Sequence, residues 1–380
     1  MSRTGLEEDL RTVEVPVRAE RRSRRHAADP ARPDRLRLLD GLRLLAALTV
    51  LAYHFTARDS YAWGQRPSRL FPGLSQVTQY GNLGVNLFFI ISGFVILMTA
   101  WGRPVDKFAT SRITRLFPAY WAGVLLTGGL LLLVRPEGGL HGWEAITNLT
   151  MAQSALDVDH VDGVYWTLWV ELRFYLLIGL LLAVGLTRRR VIGLIVFWPM
   201  LAALVHTTDQ AFLSSLLIWN YAPYFAAGMA LFLIYREGAS VFHWLLVAYN
   251  WAIIVGLTGR YFPSGVDKKT HHQASLWVTL IVITVSILLV AACTSRVARR
   301  VQWRWLTTAG ALTYPLYLLH EHWGWFFISH IRHWVSPVVT LVVVTAACLL
   351  MAWLIHRWVE RPLAPRLKTW VARGLADARS

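Results

Sequence analysis

Arg43–Phe55 reads RLLAALTVLAYHF, and whether this stretch crosses a bilayer decides the fold. It is apolar apart from an arginine at its start and a histidine eleven positions later. A charge at the centre of a bilayer costs about 2.5–3.5 kcal/mol on insertion scales, so ionisable groups kept inside a span usually have a task. Working outward, breaks at Gly, Pro and charged residues delimit ten apolar runs: 38–56, 84–101, 118–134, 165–186, 191–206, 215–235, 241–258, 276–293, 305–327 and 336–356. As helices, runs of this kind cross a hydrocarbon core of about 30 Å. The expected fold class is all-α: a polytopic membrane helical bundle of about ten transmembrane helices. Composition agrees, because 55% hydrophobic residues, 16% charged residues and a mean hydropathy of +0.43 exclude an ordinary soluble domain.

A net charge of +16 raises the question of nucleic acid. The basic residues lie in tails and loops between apolar runs instead of on one face with interleaved aromatics, so a nucleic-acid partner is not expected. They read as topology determinants. With the N-terminus in the cytoplasm, the inner loops carry 12 Lys and Arg in 36 positions and the outer loops 8 in 90. Both termini are therefore expected in the cytoplasm, with the protein in the plasma (inner) membrane. The expected organisation is a basic disordered tail over 1–34, a membrane domain over 35–365 and a cytoplasmic C-terminal tail over 366–380. No cleavable signal segment is expected, because the first 34 residues are polar and arginine-rich. Cys293 and Cys348 sit inside apolar runs without metal-ligand spacing, so they read as core residues and no metal site is expected.

Rise per residue assigns each polar side chain a depth. Arg43 falls near the inner face and His54 near the outer one. Asn86 opens its span at the outer edge, and Glu171 in YWTLWVELRFY lies about 9 Å below the outer boundary. His320, in LTYPLYLLHEHWGW, lies toward the outer end of the ninth span. Four spans thus bring His, Asn, Glu and His to similar depth. A buried carboxylate is costly unless paired or protonated, so Glu171 calls for a role. At the inner side, Arg112 and Arg115 are one helical turn apart in SRITRLFPAY, before Pro118 as the expected start of the third span. Two guanidiniums on one face, with Arg43 at similar depth, suit phosphates. Gly93 and Gly228 read as helix-packing positions.

LRLLDGLRLLAALTVLAYHF, GVNLFFIISGF, RITRLFPAYW, WTLWVELRFY, YPLYLLH and VERP occur in this order. Together they resemble the acyltransferase-3 family of integral membrane acyltransferases over residues 35–365. The resemblance implies transfer of an acyl group, acetyl first among them, from acyl-CoA to a hydroxyl of a carbohydrate or hydroxylated metabolite. It also implies that Arg43 and His54 form an essential pair, that Arg112 and Arg115 contact the acyl-CoA, and that Glu171 is the family's acidic residue in the fourth span. Ser92, Tyr317, His320 and Glu360 match motif positions too. Asn86 stands where many members have Asp, and Arg173 where an uncharged residue is common.

These residues suggest a mechanism in which CoA phosphates rest on Arg112, Arg115 and Arg43 while His54 acts as general base on the acceptor hydroxyl. Its unperturbed pKa near 6.5 suits that task. Glu171 is expected to orient the imidazole, as the carboxylate does in hydrolase triads. An acyl-histidine intermediate is an alternative route. The competing class is a proton-coupled transporter or permease using the intramembrane His, Glu and Arg as a relay. Consumption of acyl-CoA separates the two.

Overall fold

The computed structural model describes residues 36–134, 141–262 and 267–377. Each of the ten expected spans contains a helix, the sixth starting at Ala222 after turns over 217–221 and not at 215: α1 (Arg37–Thr56), α2 (Gly84–Ala100), α3 (Val105–Val134), α4 (Trp166–Ala183), α5 (Arg188–His206), α6 (Ala222–Glu237), α7 (Val241–Tyr261), α8 (Leu276–Cys293), α9 (Arg304–Ile331) and α10 (Pro337–Ile355). A further helix, α11 (Arg361–Asp377), follows α10 through a π turn over His356–Glu360. The protein is an all-α multi-pass bundle. The tail expected over 1–34 lies outside the described residues.

Helix starts follow from local chemistry. Thr187, Ser240, Ser275 and Ser336 cap α5, α7, α8 and α10, each side chain accepting from the backbone N–H three residues on. Such caps satisfy an amide that would otherwise be orphaned at the helix end. One sequence expectation is corrected. Pro118 does not open the third span, because α3 begins at Val105 and carries Pro118 in its interior. Missing one backbone N–H is tolerated in a long helix held by its neighbours, so Arg112 and Arg115 stand on a helix and not in a loop. At the C-terminal side, α11 runs across positions 365–366 and packs against α3.

Among the described residues, eight helical stretches are long and apolar enough to cross a bilayer. The two other expected spans are α6 and α9. α6 has 16 residues, with Ala222 through Leu233 all buried. α9 packs along α1 and carries buried Thr313, His320 and Glu321. Buried at these positions, α9 can carry ionisable groups that lipid would exclude.

Small residues set the α2–α6 crossing. A Cβ on Gly228 would stand 2.0 Å from the Ile90 carbonyl oxygen, and one on Gly93 would stand 2.0 Å from the Phe225 carbonyl oxygen. Neither backbone can yield without moving the helix. Gly228→Ala is expected to cost about 1–3 kcal/mol, the range for overpacking, read as a lowered Tm in detergent. An unchanged Tm would show that the crossing accommodates a methyl group.

Candidate active site

Among the described residues, two cavities gather most of the candidate polar side chains. The larger, about 310 Å³, lies at its arginine end and is lined by Arg43, Arg112, Arg115, Ser92, Glu171 and Tyr175, among others. The smaller, about 210 Å³, is lined by Tyr53, His54, Arg58, Asn82, Asn86, Lys269 and Glu321, among others.

In the arginine cavity, α1 supplies Arg43, whose Nη1 reaches Asp40 Oδ1 at 3.3 Å. α3 supplies Arg112 and Arg115 from one face. Arg112 donates to Ser111 Oγ at 2.9 Å and lies over the Tyr175 ring at 5.9 Å. Its Nε is buried with no hydrogen-bond partner among the described residues. A buried guanidinium N–H left open in a cavity with two other arginines suits an anionic oxygen. Glu171 accepts from Ser92 Oγ at 2.8 Å. It therefore belongs to this cavity and not to His54.

Correcting that expectation changes the chemistry around the histidine. His54 Nδ1 lies 3.5 Å from Glu321 Oε2 and 3.5 Å from Arg58 Nη1. Arg58 donates to the other oxygen, Oε1, at 2.8 Å and caps the Trp325 ring at 5.3 Å. The carboxylate beside His54 thus comes from α9. Sequence depth put Glu171 and His54 at one level but said nothing about which way each helix was turned. Arg58 can only donate, so its contact makes Nδ1 the acceptor in the tautomer that carries its proton on Nε2, whereas in the tautomer with the proton on Nδ1, facing Glu321, Nε2 is the nitrogen left to take a proton. Trp325 Nε1 donates to the His54 carbonyl at 3.2 Å and fixes the backbone there.

His320 completes this cluster, its ring 5.0 Å from that of His54 at 82°. Its Nδ1 bonds the Tyr317 carbonyl at 2.9 Å, while Nε2 is buried without a hydrogen-bond partner among the described residues. Behind Glu321 stands Asp162, in the loop before α4, whose Oδ1 accepts from Val164 N at 3.1 Å. Burial holds the Asp162 carboxyl above the usual carboxylate range, against the opposing pull of the Val164 amide. Gly163 passes so close that a Cβ there would lie 3.1 Å from both Glu321 oxygens.

The structure thus gathers Arg43, Ser92, Arg112, Arg115 and Glu171 in one cavity, and His54 and Asn86 in the other. Tyr317 lines both. Glu360 lines neither; it pairs with His356 Nδ1 at 2.6 Å in the π turn. Arg173 also stands apart, bonded to the Ser215 carbonyl and over the Trp169 ring. Sequence reasoning gave Arg58 no role. Its signal is the four-residue spacing from His54, which puts both on one helix face.

Ionisable residues inside a polytopic bundle, divided between an anion-suited cavity and a His–carboxylate pair, are the equipment of a group-transfer enzyme. The chain matches the acyltransferase domain model over residues 36–357 and belongs to this acyltransferase-3 family. Among curated proteins it is similar to acyltransferase MdmB of Streptomyces mycarofaciens, 30% identical over 156 residues, covering 39% of this chain and 39% of that protein. It is also similar to the putative peptidoglycan O-acetyltransferase YrhL of Bacillus subtilis (strain 168), 23% identical over 332 residues, covering 74% of this chain and 47% of the relative. A third relative, peptidoglycan O-acetyltransferase OatA of Listeria monocytogenes serovar 1/2a, is 26% identical over 160 residues, covering 37% of this chain and 23% of that protein. The chain thus spans less than half the length of each of these relatives. No solved structure matches it.

Proposed function

We propose that this membrane acyltransferase moves an acyl group, acetyl first among the candidates, from acyl-CoA to a hydroxyl of a carbohydrate or hydroxylated metabolite. The observation that carries the reading is the pairing of an arginine-lined cavity with a separate one containing His54 and Glu321. The charge of loops and tails favours an arginine end at the cytoplasm, with both termini there and the protein in the plasma membrane. Donor phosphates then rest on Arg43, Arg112 and Arg115, with the pantetheine arm directed toward His54. Glu171 accepts a hydrogen bond from Ser92 and can take a second from a pantetheine amide. His54 Nε2 removes the proton of the acceptor hydroxyl, while Glu321 orients the ring and stabilises the imidazolium. Arg58 holds the Glu321 carboxyl group in place through its other oxygen. The peptidoglycan O-acetyltransferase names of two relatives favour a carbohydrate among the acceptors to be tried first.

Thiol release from acetyl-CoA by purified protein in nanodiscs, with a panel of sugar and metabolite hydroxyls, tests the reading. Release stimulated by one acceptor class is expected. Release stimulated by none, with acetyl, succinyl or longer donors, would overturn it. In the same assay Arg115→Ala should raise KM for acetyl-CoA by about tenfold to a hundredfold, the scale of one lost charge-assisted bond, with kcat less affected. An unchanged donor KM would remove Arg115 from the phosphate site.

A further inference from the structure

The arginine and histidine cavities share two lining residues, Val85 and Tyr317. Of these, only Tyr317 has a polar side chain, so its phenol belongs to the wall through which donor and acceptor must meet. Neighbours fix its position. The ring lies edge-on to Phe88 at 5.7 Å and stands 5.6 Å from the His320 ring. The hydroxyl is 3.0 Å from Thr167 Oγ. Thr167 has one hydroxyl proton and two acceptors in reach, Tyr317 Oη and the Val164 carbonyl at 2.9 Å. When that proton turns to Tyr317, the phenol proton has no acceptor among the described residues. Other candidates are excluded by position: Ser92 already donates to Glu171, and Asn86 lines only the histidine cavity.

We infer that Tyr317 marks the point of acyl transfer and that its hydroxyl donates a hydrogen bond to the thioester carbonyl oxygen as that oxygen becomes an oxyanion. The inference rests on the acyltransferase reading above. The acceptor oxygen attacks the thioester carbonyl carbon, forming the C–O bond as its proton passes to His54. The carbonyl π pair moves onto the oxygen held by Tyr317. Collapse breaks the C–S bond, and the His54 proton leaves with the CoA sulfur, giving ester and free thiol with no change of oxidation state. Tyr317 shares its proton throughout and never surrenders it. A donor fixed in place before the charge develops needs no reorganisation, which is why such groups carry large shares of catalysis.

The experiment uses the full chain in nanodiscs, acetyl-CoA and the acceptor that wild type prefers. Tyr317→Phe keeps the ring and removes the hydroxyl. The expected result is a kcat lower by about 10²-fold, with KM for donor and acceptor near wild type and an unchanged Tm. Thr167→Val leaves Tyr317 in place but removes the bond that frees its proton, and should lower kcat in the same direction by less. If Tyr317→Phe does not fold, the Thr167 variant carries the test. Wild-type kcat in Tyr317→Phe, or in Thr167→Val when the first does not fold, would overturn the inference and leave the acyltransferase reading standing. A loss confined to KM would do the same. A folded wild type that never turns over the donor would overturn the reading and this inference together.

Discussion

His54→Ala is expected to lower acceptor-stimulated thiol release by up to about 10⁴-fold while leaving acetyl-CoA binding intact, the upper range for loss of a general base. Donor affinity should survive because His54 lines the cavity that lacks the arginines. Folding should survive as well, since the Trp325 bond is made to the backbone carbonyl of residue 54 and not to its ring. Residual activity has a natural source in His320, whose Nε2 is buried and unbonded among the described residues beside the vacated ring. The double variant His54→Ala, His320→Ala should therefore fall below the single one. Full activity of His54→Ala in a protein with native Tm would remove the histidine from the chemistry.

The second large effect separates two carboxylates. Glu321→Gln keeps shape and Arg58 contact geometry but removes the charge that faces His54 Nδ1. A loss in kcat of about 10³-fold or more is expected, by analogy with amide replacement of a triad carboxylate, which leaves the imidazole in the wrong tautomer. Glu171→Gln should behave differently. Its partners are Ser92 and the arginine cavity, so its cost should appear mainly in the donor KM. If instead Glu171→Gln removes kcat and Glu321→Gln does not, the carboxylate assignment derived from geometry is wrong. Full acid loss is a harsher test, because Glu321→Ala leaves the Arg58 guanidinium without its counter-charge in a part-buried site, and such breakage costs about 3–5 kcal/mol when fully buried.

Much of this was legible before any coordinates. Apolar run length gave all ten spans, because a lipid environment forces each backbone amide to be satisfied within its own helix. The small residues at Gly93 and Gly228 announced a close crossing, and the R-x-x-R spacing put Arg112 and Arg115 on one face. What the sequence left open was rotation. A residue's depth follows from counting at 1.5 Å per position, but the direction it faces depends on how its helix packs. Glu171 and Glu321 are both acids in spans, and only the packing of α9 along α1 decides which of them reaches His54. The same limit hid the shared wall at Tyr317, since residues 85 and 317 are brought together only by tertiary contact. Pro118 misled for a different reason. Proline is a good marker of a first helical turn, yet in a bundle the neighbouring helices outweigh its missing bond.

The π turn over His356–Glu360 sets a phase. A π turn accommodates one residue more than the α-helix it interrupts, and each residue advances an α-helix by about 100°. Everything beyond Glu360 is therefore rotated by that amount relative to a straight continuation of α10. α11 meets α3, the helix that carries Arg112 and Arg115, with the face this offset selects. Length conservation through positions 356–360 thus matters more to that docking than the identity of most side chains there. One residue removed acts as a quarter-turn of the shaft, and one added to the loop before α10 does not.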